Sequence, residues 1–376
     1  MLSAPHKAKK LHPHKKLFIG VFVSAIFVWL LQSRLNHAMR NILPICCFFL
    51  SLTLCGQNQI KQFCVDPTMQ LPLNDSENTM YCSSFIQAWI ELCNMHDGAI
   101  ILDSNSVLLE QLNAIKVNRS ISEDFVVAKA GYIKDSVIAK INRELEQKFK
   151  ISKSFSEGYN DNDIISYAYL KKQIKFYYLL QDDFGKEKMV FNGSDTVDFF
   201  GLRYAVTNPV NKSRILIHNY KSSDNFILEI KTKVNTDQVI IAKMQPESTL
   251  AASYSTIMQR VKLNDTSYIE EGEMLKIPYI SFSIEENFRE LKNRKLLNPG
   301  FTGYTIREAK QVIDFSLNGK GVSLESEGEL RAIFAIVENS TRQFVFDKPF
   351  FIILKERDKN EPYFCMYIAN ATCMIK

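Results

Sequence analysis

Glycine and proline are scarce in this chain of 376 residues, at 14 and 11, and tryptophan occurs only twice. With no Gly-X-Y period and no Pro/Gly-rich tract, collagen-like and low-complexity chains are excluded. There is no GxSxG, no HExxH, no Walker-type phosphate loop and no GxGxxG, so none of the common sequence anchors of catalysis or nucleotide binding is present. Histidine is nearly absent from the body of the chain, where only His96 and His218 occur, and no two cysteines are spaced CxxC. A Cys/His zinc site has nothing to build on, and neither a metal nor a cofactor is expected. No segment repeats with a period of 20–50 residues, which excludes a solenoid.

What is present is the composition of a folded globular chain, 46% hydrophobic and 23% charged. The net charge of +5 misleads. Lys7, Lys9, Lys10, Lys15, Lys16, Arg34 and Arg40 stand in the first forty residues without a single acid, and removing them leaves the rest slightly acidic. A nucleic-acid partner needs basic residues clustered on the folded part and is not expected. Two apolar runs, 17–31 and 42–56, follow those basic residues, and both fall short of the roughly twenty residues of a relaxed membrane span. They fit signal-peptide cores, and the stretch from Met39 reads as a complete signal peptide by itself. The alternative is membrane attachment through 17–31 or 42–56. Residues 1–56 are therefore read as a leader, and the body is expected to be secreted or held at the cell envelope. Five cysteines remain in that body, Cys64, Cys82, Cys93, Cys365 and Cys373, an odd number and too few for a disulfide framework.

Residues 57–77 hold two prolines and no sustained period, and read as a linker or extended arm. Helical spacing of Phe85, Ile86, Trp89, Ile90 and Cys93 behind a serine predicts a buried helix, and Val137, Ile138, Ile141 and Leu145 share the face of a second. After Asn160 the chain turns to short β-branched and aromatic stretches bounded by turn residues, the pattern of strands. Thr249 to Lys262 and Glu286 to Lys295 are expected as helices among them. The fold class is α+β, with helices in the N-terminal half packed on mainly antiparallel and mixed sheets formed largely by the C-terminal half. As candidate chemistry, His96 and His218 lack a neighbouring nucleophile, Asp182-Asp183 and Glu270-Glu271 read as solvated turns, and Gly319-Lys320-Gly321 reads as a turn.

The last seventy residues carry more. Lys310 to Glu327 (KQVIDFSLNGKGVSLESE) reads as a strand entering an acidic, glycine-containing hinge. Some twenty residues later, FVFDKPFFIILKERDKNEPYFCMYIANAT reads as two strands joined by a polar hairpin. This resembles the C-terminus of the serpin family, with Gly321 at the hinge glycine, Phe346, Lys348, Pro349 and Phe350 on the signature strand, and Phe364 and Asn370 on the last strand. Upstream, Asn78 to Asn94, Ile165 to Lys172, Phe226 to Pro246 and Lys276 to Phe288 resemble serpin segments in the same order. The resemblance covers 78–376 as one divergent, shortened serpin-like domain with a reactive-loop-like segment at 321–343.

The resemblance implies an exported protease inhibitor that acts when its loop is cut and the hinge residues Gly321, Val322, Ser323 and Leu324 enter a sheet as a new strand. The alternative is a non-inhibitory binding or scaffold protein on the same fold, because Val322, Leu324 and Glu325 stand where inhibitory members carry small residues. Neither reading makes it an enzyme. Alternation sends Val322, Leu324, Ser326 and Gly328 to one face and Ser323, Glu325, Glu327 and Glu329 to the other, which is compatible with insertion. Counting back from Pro349 by the family's spacing puts the cut among Phe334, Ala335, Ile336 and Val337. The expected partner is thus a serine or cysteine protease of apolar specificity.

Overall fold

The computed structural model describes residues 63–115, 120–155, 160, 163–180, 184–203, 215–263, 266–270, 272–323 and 342–376. The 1–56 leader, Asp182-Asp183, Leu324 and the candidate cleavage residues Phe334 to Val337 lie outside them. The first elements are β1 (Phe63–Val65), β2 (Asn78–Cys82), α1 (Ser84–His96), α2 (Val107–Ala114), β3 (Val126–Tyr132), α3 (Val137–Phe149), β4 (Ile164–Leu170) and β5 (Gln173–Lys175). The middle of the chain forms β6 (Phe199–Leu202), β7 (Ile215–Ser222), β8 (Asn225–Ile230), β9 (Asp237–Lys243), α4 (Leu250–Lys262), β10 (Ser267–Tyr268) and β11 (Met274–Pro278). Next come β12 (Ile280–Asn287), β13 (Lys310–Asn318), β14 (Gly321–Ser323), β15 (Gln343–Val345), β16 (Phe350–Glu356) and β17 (Phe364–Ile368). Short ribbons complete the list of strands at Met189–Phe191 with Asp195–Val197 and at Arg294–Lys295 with Thr305–Ile306.

An eight-stranded sheet in the order β1-β2-β17-β16-β9-β8-β7-β10 is the centre of the molecule. All residues of β9, β16 and β17 are buried, so this sheet is covered on both faces. The helix α4 crosses one face, its first turn closed by Thr249, whose hydroxyl accepts from Ala252 N at 3.1 Å. A four-stranded sheet, β12-β13-β14-β5, and a three-stranded one, β15-β11-β6, lie beside it. The hairpin β3–β4 packs against α1 on one side, and with α3 it encloses a second apolar cluster around Val127, Val137, Ile141, Leu145 and Ile165.

The α+β class holds, and three local expectations change. From Phe63 onward the expected linker is part of the domain. Its strand β1 pairs in parallel with β2, and Asp66 closes the following turn by accepting from Thr68 N at 2.9 Å and Leu71 N at 2.7 Å. Two prolines broke any period there, but the buried side-chain-capped turn replaces one. The helix expected at Glu286 to Lys295 does not form. Glu285, Glu286 and Asn287 pair with Val312, Gln311 and Lys310 as the end of β12, and the turns that follow are anchored by Phe288 N donating to Ala309 O at 2.8 Å. Pairing with a long neighbouring strand overrides local helix propensity. Conversely, α2 was not expected, although Ser106 caps it by accepting from Leu109 N at 3.1 Å.

Candidate functional site

The strand β14 has neighbours on both sides. Gly321, Val322 and Ser323 face Asn318, Leu317 and Ser316 of β13, and on the other edge Lys175, Ile174 and Gln173 of β5, all antiparallel. Gly321 has φ 153°, and a Cβ there would lie 2.0 Å from the carbonyl oxygen of Ile174. No other residue fits so close to the neighbouring backbone. Val322 is 2% exposed, sealed between Leu317 and Ile174. The turn Gly319-Lys320 that precedes it is as expected.

Among the described residues β14 ends at Ser323. On its β12 side β13 is paired from Lys310 to Leu317, but on the β14 side only from Ser316 to Asn318. Among the described residues no strand pairs the Lys310–Phe315 stretch on that edge, and β4 is paired only to β3. Along the exposed edge Gln311, Ile313, Phe315 and Leu317 point inward and are buried, whereas Lys310, Val312 and Asp314 are exposed.

A buried charged cluster lies at the junction of β4 and β5. Lys172, 3% exposed, places Nζ 2.7 Å from Asp237 Oδ1 and 2.5 Å from Glu356 Oε1, and over the rings of Phe125 and Tyr363 at 4.1 and 5.0 Å. Glu356 also accepts from Ser122 N at 3.0 Å and Ser122 Oγ at 2.5 Å. Burial pushes the Glu356 carboxyl up, but the hydrogen bonds and charge of Lys172, with Ser122, outweigh it and hold the group below its ordinary value. Tyr363 donates to Asp237 Oδ1 at 3.2 Å, and burial beside that carboxylate raises its phenol well above the ordinary range. Near the start of β13, Gln311 Nε2 donates to Cys82 O at 2.9 Å and to Ser84 Oγ at 2.8 Å. Its Oε1 and the nearby Ser83 Oγ are buried with no hydrogen-bond partner among the described residues.

Chain on the other side of the loop is equally anchored. Arg342 donates to Glu273 Oε1 at 2.5 Å, Ser267 Oγ at 3.0 Å and Tyr268 O at 3.1 Å, ahead of β15, which runs parallel to β11. The signature stretch is not one strand. Phe346 and Pro349 belong to a crossing segment between β15 in one sheet and β16 in another, and Phe350 begins β16. Phe346 and Phe350 are fully buried with ring centres 5.1 Å apart, and Phe346 also meets Phe226 at 5.1 Å. Phe364 lies on β17, and Asn370 caps the short turn after it.

The His96 ring lies tilted against Phe301 with centres 5.5 Å apart, and His218 Nε2 lies 2.9 Å from Glu229 Oε2 inside the large sheet. No cluster of three or more metal-ligating side chains occurs among the described residues. None of the five body cysteines is bridged. Lys172, Glu356, Asp237 and the Arg342–Glu273 pair were missed by sequence reasoning, which assigned none of them a buried charge partner.

No known protein family matches the chain by sequence, and no curated protein does. Among solved structures it is similar to thyroxine-binding globulin in complex with thyroxine, at 11% identity over 78% of this chain and 92% of that one, with a TM-score of 0.48. The human thyroxine-binding globulin complex gives 11% identity, 78% and 92% coverage and 0.46. Serpin48 of the insect Tenebrio molitor, described as a highly specific serpin, gives 13%, 77%, 96% and 0.42. Along this chain the doubly paired strand β14, the crossing aromatic segment and the β16–β17 hairpin follow one another in that order.

Proposed function

We propose that this chain is a serpin-like protease inhibitor whose loop, once cut, extends β14 into the gap between β13 and β4. The observation that supports this reading is the three-residue strand at Gly321–Ser323, already paired on both edges at the head of a gap. Continuing the same register would set Leu324 opposite Phe315, Ser326 opposite Ile313 and Gly328 opposite Gln311, so the apolar and small set would meet the buried face of β13. An added backbone would also satisfy the open edge of β13. The partner is a serine or cysteine protease that accepts an apolar side chain at Phe334, Ala335, Ile336 or Val337. Arg342 is a poor cleavage site by comparison, because Glu273 clamps it. The test is incubation of the full chain with elastase-like, chymotrypsin-like and trypsin-like proteases, followed by denaturing gels and mass spectrometry. A covalent complex, with the cut within Phe334 to Val337, is expected. Cleavage without a complex would remove inhibition, and a cut after Arg331 would remove the apolar specificity.

A second reading is favoured by the charges along the same path. The register would bring Glu325 opposite Asp314, and Leu324 onto the side of β5 where Lys172 is buried with its two carboxylates. Like charges directly across a sheet destabilise it. On this reading the chain is a non-inhibitory binding or scaffold protein at the cell envelope, and cutting the loop leaves its thermal stability unchanged.

A further inference from the structure

Past Lys175 the chain leaves β14 behind and runs between two turns, one on each side. Phe176 and Thr232 are bridge partners, with Tyr177 N donating to Lys231 O at 2.9 Å and Lys233 N to Lys175 O at 2.8 Å. On the opposite edge Phe176 N donates to Lys320 O at 2.9 Å and Leu180 N to Gly319 O at 2.8 Å. The Phe176–Thr232 register therefore sets Lys175 opposite Lys233 and Tyr177 opposite Lys231, with Lys320 in the adjoining turn. Phe176 and Thr232 are buried, so the flanking pair Lys175 and Lys233 stand directly opposite each other on the outer face, both exposed.

Two ammonium groups held across a strand pair repel each other. None of these four lysines has an ion-pair partner among the described residues, and Lys231 alone has a ring beside it, Tyr268 at 5.8 Å. Other exposed lysines, such as Lys140, Lys221 and Lys292, also stand without an ion pair among the described residues, and what sets Lys175 and Lys233 apart is their position directly across one strand pair. The same corner exposes apolar side chains, Tyr177 at 53%, Leu179 at 43% and Val234 at 67%. Uncompensated positive charge beside uncovered apolar surface is the complement of one kind of partner.

We propose that this corner is a docking surface for an acidic peptide segment of a partner protein. Carboxylates neutralise the Lys175–Lys233 repulsion, and apolar side chains between them cover Tyr177, Leu179 and Val234. A sulfated polysaccharide supplies the first of these and not the second, which is why a peptide is the better fit. The proposal stands whether or not the loop inserts.

The full chain is titrated against a fluorescein-labelled peptide of alternating Glu and Phe, with a Gln-for-Glu version as control, and fluorescence anisotropy is read at low and high salt. Binding of the acidic peptide alone, weakened by salt, is expected. A Lys175→Glu, Lys233→Glu double variant should bind about tenfold more weakly, as two lost charge contacts imply. The milder Lys175→Gln, Lys233→Gln variant should lose affinity in the same direction while melting no lower than the parent, since repulsion is removed. Equal affinity in parent and both variants would overturn the proposal. So would absence of peptide binding, including the case in which heparin binds and the peptide does not.

Discussion

Lys172 is held by two carboxylates and two aromatic rings where water does not reach. Removing one partner of a buried ion cluster leaves the others uncompensated, so Lys172→Met should destabilise the domain by about 3–5 kcal/mol, read by chemical denaturation. Acid acts on the same group from the other side. The folded pKa of Glu356 lies below its ordinary 4.5, as does that of Glu229, where burial is outweighed by hydrogen bonds from His218 and Arg357. A depressed carboxylate contributes stability that is complete above the unfolded value and is lost as pH falls through the folded one. Stability should therefore be flat down to about pH 5 and fall below 4.5, and the penalty of Glu356→Gln should be largest at neutral pH and shrink in that acid window. An equal penalty at every pH would mean that the Glu356 charge contributes nothing. Both residues were readable in principle: Lys172 lies in phase with the buried Ile174 and Phe176, and Glu356 with Phe350, Ile352 and Leu354. Carrying the two-residue period one step into each charged run would have turned both inward. Their partnership was not readable, because it joins strands 184 residues apart.

At the level of elements, what was legible followed period and punctuation. The strands β7, β8, β9, β13 and β16 and the helices α1, α3 and α4 stand close to where alternation, helical spacing and caps put them. The helix expected over Glu286 to Lys295 failed because a charged run fits either an exposed helix or a half-exposed strand, and β13 decided the matter from outside the window. Gly321 stood out in the sequence, but the reason for a glycine there, the approach of Ile174 O, did not. Gly321→Ala should accordingly force β14 away from β5, at a cost of about 1–3 kcal/mol, and expose the Gly321–Ser323 segment to limited proteolysis. The unit formed by α3 with β3 and β4 has its own apolar cluster. Ile141→Ala, which empties its fully buried centre, should cost about 2–5 kcal/mol. Hydrogen exchange should then accelerate in α3, β3 and β4 while β9, β16 and β17 stay protected.

For the whole molecule the two readings of function differ in one quantity. If the loop inserts after cutting, the added strand pairs the Lys310–Phe315 edge and covers the inward face of β13, and the melting temperature of the nicked chain should rise well above that of the intact one. An unchanged melting temperature after cleavage confirmed by mass spectrometry would leave the scaffold reading. Another property of the molecule follows from its central sheet, where β2 pairs with β17 and Asn78 hydrogen-bonds Asn370 across 292 residues. At a synthesis rate of about 5–20 residues per second, the early strand waits roughly 15–60 s for its partner to emerge. During that interval an apolar strand end is open to any passing chain, and nothing translated before β17 can close it. A nascent chain stopped before Phe364 should therefore remain bound to chaperones, whereas release of the full chain lets the sheet close at once along both sides of β17.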